Sequence, residues 1–263
     1  MMDIGNVGLI GAAGWLGGAI AKRLIGTGRL PPNQLICSYR RTRPDNHLGC
    51  AWTTDNVALA NAADIILLCV RPEDWLTIRI EAAGKLVISV MAGVTLEEIA
   101  TRTNARRVAR ALPNAAVGIG YGYTPYCLSS KDASDAARIE AIFACGGMVD
   151  RVLEEDHIDY FTAMSGSGAA FPALLADALA TAAIKHGIPE AIAHRAAEQV
   201  LVGAGRVQEA AGAPVSQTLQ SFIDYEGTTA AGIRAMRQNG LNDIVDRGLW
   251  AAYQKALSMT RGR

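Results

Sequence analysis

The sequence has no excess of charge of either sign. Its 25 lysine and arginine residues balance 25 aspartate and glutamate residues, and no basic tract occurs along the chain. Proteins that bind nucleic acid or anionic membrane surfaces usually carry such tracts. We therefore expect neither nucleic acid nor a membrane surface as a partner.

Long apolar runs and paired cysteines are also missing. No uninterrupted apolar stretch reaches the roughly 18 residues of a membrane span, and the first residues lack the basic and apolar regions of a secretion signal. The five cysteines are scattered without a C-x-x-C pair. This predicts buried free thiols in a reducing, cytoplasmic compartment and gives no indication of a metal site.

Near its start the sequence does contain the pattern of a strand, a glycine turn and a helix. An apolar run begins at Val7, glycines follow at Gly11, Gly14 and Gly17, and residues 15–30 are amphipathic. The first turn of a helix offers free N–H groups to a phosphate, and glycines let the backbone approach a pyrophosphate closely. The spacing departs from the strict G-x-G-x-x-G fingerprint, so a purely structural turn remains the alternative.

The second predicted strand, residues 35–39, runs into a basic segment. At this point a dinucleotide-binding fold selects its cofactor: a carboxylate binds the ribose of NAD, whereas arginine accommodates the 2′-phosphate of NADP. Ser38, Arg40, Arg41 and Arg43 lie here, and the first carboxylate after them is Asp45. Guanidinium groups bind phosphate through two N–H groups. The sequence favours NADP(H) over NAD(H), with a solvated basic loop as the alternative.

Strand-like and helix-like segments alternate through the first 153 residues. Beyond the first two strands we predict strands at residues 64–70, 85–91, 107–112, 123–129 and 147–153, with a helix at residues 133–145. This alternation is typical of an α/β fold with a doubly wound sheet. We assign residues 1–153 to a dinucleotide-binding domain.

From residue 154 the pattern changes to helices that are apolar around most of their circumference. Residues 164–186 are rich in Ala and Leu and carry little charge, and residues 189–207 continue in the same style. Such helices must be buried on more than one side. We therefore predict an all-helical domain at residues 154–263 that packs against a second copy, forming a homodimer or a larger oligomer built from dimers.

Several motifs make the comparison with a known family specific. They are G-L-I-G-A-A-G-W-L-G at the start, T-T-D-N at residues 53–56, L-L-C-V-R-P at 67–72, K-L-V-I-S-V-M-A-G-V at 85–94, R-A-L-P-N at 110–114, S-G-S-G-A-A-F at 165–171 and G-T-T-A-A-G-I at 227–233. In this order they resemble the pyrroline-5-carboxylate reductase family. The resemblance implies a Rossmann-type domain that binds NADP(H) or NAD(H), an all-α dimerisation domain, and hydride transfer from the nicotinamide to the C=N bond of a small imine.

The resemblance also implies roles for matched residues. The pyrophosphate contacts would be Gly11, Gly14, Trp15, Leu16 and Gly17; the 2′-phosphate contacts Ser38 and Arg40; the ribose contact Asn56; and the nicotinamide contacts Val70, Pro72, Ala92, Pro113 and, where a helix opens at residues 165–168, Ser167. Arg41, in the same basic segment, is a further cofactor-binding candidate.

The substrate site is implied by Gly227, Thr228 and Thr229, which match the end of the family motif S-P-G-G-T-T. In the family, the N–H groups and last threonine of this motif hold the substrate carboxylate at a helix N-terminus. Thr229 is thus a catalytic candidate as well as a substrate-binding one, and Asp224 is a further substrate-binding candidate. A plain helix cap is the alternative.

The chain departs from this motif at Asp224, Tyr225 and Glu226, which replace Ser-Pro-Gly. Two accounts remain open. Either the two carboxylates face solvent and the substrate is 1-pyrroline-5-carboxylate, or they pair with a different cyclic imine that has a cationic or non-carboxylate end. In the second account Glu226 and Tyr225 are catalytic candidates, with Tyr225 donating a proton.

Two further departures and two minor alternatives complete the prediction. The glycine turn is one residue longer than the family's G-A-G-N-M-G, and P-N-T-P is replaced by P-N-A-A at residues 113–116. A β-hydroxyacid dehydrogenase would carry Lys and Asn within residues 166–175, which contain neither. A non-catalytic NADP-binding protein is the other alternative, supported only by the longer turn.

Overall fold

A single mixed sheet organises the first part of the chain. The structure, a computed structural model, describes residues 3–45 and 48–261. The sheet has eight strands in the order β3-β2-β1-β4-β5-β6-β7-β8. The strands are β1 (Val7–Ile10), β2 (Leu35–Ser38), β3 (Ala51–Thr53), β4 (Ile65–Leu68), β5 (Leu86–Ser89), β6 (Arg107–Ala111), β7 (Gly122–Leu128) and β8 (Gly147–Arg151).

Eleven α-helices accompany the sheet in the described part of the chain. They are α1 (Trp15–Gly26), α2 (Asn56–Ala62), α3 (Pro72–Trp75), α4 (Leu96–Thr103), α5 (Ala133–Phe143), α6 (Asp156–Phe161), α7 (Ala170–Lys185), α8 (Glu190–Ala211), α9 (Val215–Asp224), α10 (Thr228–Gln238) and α11 (Leu241–Arg261).

The strand order reverses on either side of β1. Val7 lies opposite Leu35 of β2 on one side and Ile65 of β4 on the other, and both pairings are parallel. In a doubly wound sheet, the carboxyl ends of the strands at such a reversal border a crevice where ligands bind. Among the described strands, β6 and β7 form the one antiparallel pair.

Both faces of the central strands are buried, which explains their nearly continuous apolar sequence. Leu9, Leu67 and Ile88 face the layer that contains α1 and α5. Ile66 and Val87, on alternate positions, face the layer that contains α2, α3 and α4. The predicted α/β fold with a doubly wound sheet followed by helices is confirmed.

Local differences from the predicted elements have local causes. The first helix ends at Gly26 rather than residue 30, and Gly28 then adopts a φ of +69°. The short strand β3 was not predicted. Its three residues are half-buried or exposed at the edge of the sheet, so they lack the apolar run that marks the inner strands.

The chain divides into two compact units, one of residues 1–167 with 252–263 and the other of residues 168–251. This division differs from the predicted domain boundary at residues 153 and 154, which lies just after the last strand. Within the first unit, α6 packs against the sheet side, with Ile158 in a small core beside Leu112 and Cys127. The boundary at residue 153 stays a prediction.

The second unit consists of helices whose apolar side chains are largely exposed in the single chain. Ala180 is the buried residue of α7, and Ala193 and Ala197 are those of α8. Leu174 is 68% exposed. Residues 156–185 are long and apolar enough to cross a membrane, with a mean hydropathy of 1.4 over an 18-residue window of which 6% is buried. One such stretch is weak evidence for a membrane helix.

Candidate functional site

A cleft of about 770 Å³ opens at the carboxyl ends of β1, β2 and β4. Of the residues predicted to bind a cofactor, Gly11, Gly14, Trp15, Leu16, Ser38, Arg40, Arg41, Asn56 and Val70 line it. They come from loops far apart in the sequence that the parallel register of the sheet brings to one edge. The cleft therefore lies where a doubly wound sheet binds a dinucleotide.

The glycine turn is built for close backbone approach. Gly11 has a φ of +87°, and a Cβ at this position would lie 2.5 Å from the carbonyl oxygen of Cys69. A Cβ on Gly17 would lie 2.5 Å from the carbonyl oxygen of Gly11. Gly17 thus packs against the turn and is outside the cleft lining, whereas Gly11 and Gly14 line the cleft.

The additional residue of the turn is absorbed without loss of the helix start. The Gly14 N–H donates to the Gly11 carbonyl oxygen at 3.0 Å, which closes the turn. Gly14 is the N-cap of α1 and has no side chain to accept from the first N–H groups of that helix. Those N–H groups stay available for an anion, so the turn fits a pyrophosphate.

The basic end of the cleft contains a network that the sequence did not predict. The Ser38 hydroxyl accepts from the Gly11 N–H at 3.3 Å. Arg40 Nη1 donates to Asp74 Oδ1 at 2.7 Å, and Arg71 Nε donates to Asp74 Oδ2 at 3.2 Å. These hydrogen bonds from Arg40 and then Arg71 lower the pKa of Asp74, which is therefore ionised at neutral pH.

The residues predicted to contact the nicotinamide are not all in this cleft. Val70 lines it, and Pro72 follows as the first residue of α3. Ala92 is half-buried after β5 and Pro113 is buried after β6; these two, with Pro72 and Ser167, are outside the lining. Their assignment to the nicotinamide stays a prediction.

The S-G-S-G segment differs from the predicted helix opening. Residues Thr162–Gly166 form a π-helical turn, and α7 begins only at Ala170. The Ser165 hydroxyl donates to the Phe161 carbonyl oxygen at 3.2 Å and the Ser167 hydroxyl to the Thr162 carbonyl oxygen at 3.5 Å. Single π-turns of this kind are frequent at functional sites.

A buried ion-pair cluster joins β6 to α6. Arg110, 1% exposed, donates to Asp159 Oδ1 at 2.7 Å and to Glu155 Oε1 at 2.9 Å. Glu155 Oε1 also accepts from the Leu96 N–H at the start of α4. An arginine among the small apolar residues Val108, Ala109 and Ala111 was the available signal for this cluster.

The junction of α9 and α10 contains the predicted substrate residues. Gly227 is the N-cap of α10 and Thr228 and Thr229 are its first residues. The first N–H groups of a helix lack intrahelical partners, and the Gly227 cap has no side chain to accept from them. The start of α10 is therefore able to bind a carboxylate.

Glu226 takes a conformation and a partner that its residue type alone does not suggest. Its φ of +57° is in the left-handed region that favours glycine, the residue that the family motif has there. Both carboxylate oxygens accept from Arg234, one of them from Nη1 at 2.8 Å. The hydrogen bond and charge of Arg234 lower the pKa of Glu226. Glu226 is thus an ionised group before α10 whose charge is compensated by an arginine of that helix.

Asp224 and Tyr225, which precede Glu226, lie at the surface. Asp224 Oδ1 accepts from Gln220 Nε2 at 2.7 Å within α9. Tyr225 is 85% exposed. Asp224 is therefore already hydrogen-bonded, and Tyr225 is exposed, so neither side chain forms a buried site for a cationic ligand.

Comparisons with known families agree with both halves of this description. The family model described as pyrroline-5-carboxylate reductase dimerisation matches residues 155–259. A second model, described as NADP oxidoreductase, coenzyme F420-dependent, matches residues 6–93. The matches thus cover the glycine turn and Arg40 on one side and α6 to α11 on the other.

Individual proteins are similar over nearly the whole chain. The pyrroline-5-carboxylate reductase of Synechocystis is 30% identical over 260 residues, which cover 95% of this chain and 97% of that protein. The enzyme of the same name from Thermus thermophilus is 32% identical over 260 residues, with 97% of each chain covered. The solved structure of a pyrroline-5-carboxylate reductase from Coxiella burnetii has a TM-score of 0.85 at 28% identity and covers 98% of this chain and 99% of its own.

Proposed function

Because this chain belongs to the pyrroline-5-carboxylate reductase family, we propose that it reduces 1-pyrroline-5-carboxylate to L-proline with NADPH. The similarity extends over nearly the full length of both the chain and its relatives. The chain also has the cleft that such a reaction requires at the reversal point of its sheet. Fold and family together support an oxidoreductase that acts on a C=N bond.

The preference for NADPH rests on the basic end of the cleft. Arg40 and Arg41 line it, and Ser38 is directly behind the glycine turn. β2 ends without the carboxylate that would bind the ribose of NAD. Arginine binds phosphate through two parallel N–H groups, so this end of the cleft suits the 2′-phosphate of NADPH.

The protein contributes placement and electrostatics to the reaction. The bound cofactor supplies a hydride from its reduced nicotinamide ring. The N–H groups at the start of α1 hold the pyrophosphate, and Val70, Pro72, Ala92, Pro113 and Ser167 are the candidates for placing the ring. The imine nitrogen must carry a proton for efficient reduction. Tyr225 is the candidate donor only for the alternative substrate, an imine with a cationic or non-carboxylate end.

The Glu226–Arg234 pair supports the choice of 1-pyrroline-5-carboxylate as the substrate. A free carboxylate beside the start of α10 would repel a substrate carboxylate, which was the reason to consider a cationic imine. Arg234 neutralises that carboxylate, and the N–H groups before Thr229 stay available. This arrangement favours the carboxylate-bearing 1-pyrroline-5-carboxylate, with Gly227, Thr228 and Thr229 as its site and Glu226 in a supporting role.

The exposed apolar helices are proposed to form a homodimer interface, with larger assemblies built from that dimer. The dimerisation model of the family covers α6 to α11, including the apolar stretch at residues 156–185. A second copy buries this surface as effectively as lipid would. We infer a cytoplasmic homo-oligomer that binds neither nucleic acid nor membranes.

Steady-state assays with matched imines test the substrate. Oxidation of NADPH and NADH is followed with 1-pyrroline-5-carboxylate, with 1-pyrroline, which has the same ring without the carboxylate, and with an amine-bearing cyclic imine. We expect kcat/KM with NADPH to be at least about tenfold higher for the carboxylate substrate than for 1-pyrroline, because charge-assisted hydrogen bonds contribute on that scale. A preference for the amine-bearing imine would overturn the proposal, and binding of NADPH without turnover of any imine would indicate a non-catalytic protein.

A further inference from the structure

Asp74 lies across the cofactor cleft from Arg40. Arg40 follows β2, whereas Asp74 belongs to α3, which follows β4. These two strands flank β1 in the sheet. The 2.7 Å bond between Arg40 and Asp74 therefore joins the two sides of the cleft.

The guanidinium of Arg40 has a limited number of N–H groups. A phosphate engages two of them in parallel, and Nη1, at the tip of the side chain, already donates to Asp74. The Arg40 side chain is 66% exposed and that of Asp74 is 27% exposed. Since the arginine is not held by packing, it is free to exchange one anionic partner for another.

The charge of Asp74 also opposes a phosphate in this place. Asp74 is ionised, because its hydrogen bonds with Arg40 and Arg71 lower its pKa. A 2′-phosphate bound to Arg40 would be close to this carboxylate, and like charges at short distance repel. The ribose hydroxyl of NADH has no charge and does not meet this repulsion.

We propose that Asp74 is a specificity-determining residue that competes with the 2′-phosphate of NADPH for Arg40. This inference rests on the proposed use of a nicotinamide dinucleotide in this cleft. Asp74 holds Arg40 in the cofactor-free protein and must release it when NADPH binds. The residue thus limits the preference for NADPH over NADH that Ser38, Arg40 and Arg41 create.

The variant Asp74→Asn removes the charge and keeps an oxygen that accepts from Arg40. Dissociation constants of NADPH and NADH are measured by isothermal titration calorimetry, without substrate. We expect NADPH to bind about three- to tenfold more tightly, because apparent affinity is reduced to the fraction of molecules in which the arginine is free. We expect the dissociation constant of NADH to change by less than about twofold, since its ribose does not need Arg40.

Matched variants separate competition from a general change of charge. Glu73→Gln removes the same charge from the neighbouring, exposed position of α3 and is expected to leave both dissociation constants unchanged. In the Arg40→Ala background, Asp74→Asn is expected to tighten NADPH binding clearly less than in the wild type, because only the repulsion by the carboxylate is relieved. Thermal melting of each variant confirms that it is folded.

Several results would overturn the inference. These are unchanged or weaker binding of NADPH by D74N, equal tightening for both cofactors, or the same tightening with E73Q or in the Arg40→Ala background. A wild-type protein that binds neither dinucleotide would overturn the proposed function together with this inference. Normal cofactor binding with an unchanged ratio for D74N would overturn only the inference.

Discussion

At the scale of single residues, long-range ion pairs distinguish this protein from what its sequence predicts. Arg40 pairs with a residue 34 positions away and Arg110 with one 49 positions away. A local pattern identifies each arginine but not its partner, because the fold brings the partners together. The sequence therefore predicted Arg40 at the cofactor end and missed both Asp74 and the cluster around Arg110.

Replacing Arg110 tests how much the buried ion-pair cluster contributes to the free energy of unfolding. Arg110→Met leaves Asp159 buried without its cationic partner, and breaking a buried pair in this way costs about 3 to 5 kcal/mol. Burial by itself would lower the pKa of Arg110, but its bonds to Asp159 and Glu155 raise it. We expect a loss of this size in the free energy of unfolding, measured by urea denaturation.

The same substitution at an exposed position is the control. Arg40→Met breaks an ion pair whose arginine is 66% exposed, and exposed pairs contribute little to stability. Its urea midpoint should match that of the wild type. Equal midpoints for the two variants would show that the Arg110 cluster does not stabilise the fold.

Buried thiols predict how stability depends on high pH. Burial raises the pKa of Cys127 to about 11 from an ordinary value of 9.0. Between pH 9 and 11 the thiol stays protonated in the folded state, whereas it loses its proton in the unfolded chain. The contribution of Cys127 to the free energy of unfolding is therefore complete below pH 9 and is lost as pH rises to 11. Each pKa unit corresponds to about 1.4 kcal/mol.

Urea unfolding at pH 8, 9 and 10 measures this loss. Cys127→Ala should show a smaller decline in the free energy of unfolding between pH 9 and 10 than the wild type. Part of the decline remains in C127A, because burial also raises the pKa of Cys145 to about 11. An identical decline in C127A and wild type would contradict the assignment.

At the scale of elements, the glycine turn links β1 to α1 and was predictable because its signal is local. An apolar run, glycines and an amphipathic segment follow one another within 20 residues. Thr95 is the N-cap of α4, and its hydroxyl accepts from the Glu98 N–H at 3.1 Å. The Glu98 side chain, however, accepts from Trp75 Nε1, so the reciprocal bond of a capping box is replaced by a tertiary contact.

Gly11→Ala tests whether this turn serves cofactor binding. The added Cβ would meet the Cys69 carbonyl oxygen at 2.5 Å, at a φ that disfavours alanine. The turn must shift to relieve the contact, which displaces the N–H groups at the start of α1. We expect the dissociation constant of NADPH to rise by at least about tenfold, on the scale of one lost charge-assisted hydrogen bond.

Gly28→Ala separates backbone strain from the close contact. Gly28 has a φ of +69° and open space around its Cβ position, and it follows the other end of α1. This variant should lose some stability and bind NADPH as the wild type does. Comparable loss of NADPH affinity in both variants would remove the turn from the cofactor site.

At the scale of the whole molecule, the composition of the last 110 or so residues predicts that the chain oligomerises, but it does not predict the individual contacts of the interface. Apolar helices without burial predict a partner, and the family model for this region describes dimerisation. The particular side chains that meet across an interface depend on a second copy, so the sequence cannot define them. For the same reason the extent of the assembly stays a prediction.

Leu174→Glu tests the proposed interface. Leu174 is 68% exposed on α7, and a charge buried between subunits without a partner is strongly unfavourable. We expect size-exclusion chromatography with light scattering to show monomers where the wild type forms dimers or larger oligomers. Val57→Glu, at a 51% exposed position on α2, is the control, and dissociation in both variants, or in neither, would contradict this interface.

Trp15 has a consequence that reaches beyond its place in the turn. Its indole is 68% exposed and lines the cleft at the first position of α1. Indole emits light in the wavelength range that dihydronicotinamide absorbs, so a reduced dinucleotide in the cleft would quench this emission. The fluorescence of Trp15 thus reports whether a reduced dinucleotide occupies the cleft, and stopped-flow mixing could measure the rates of its binding and release without any label.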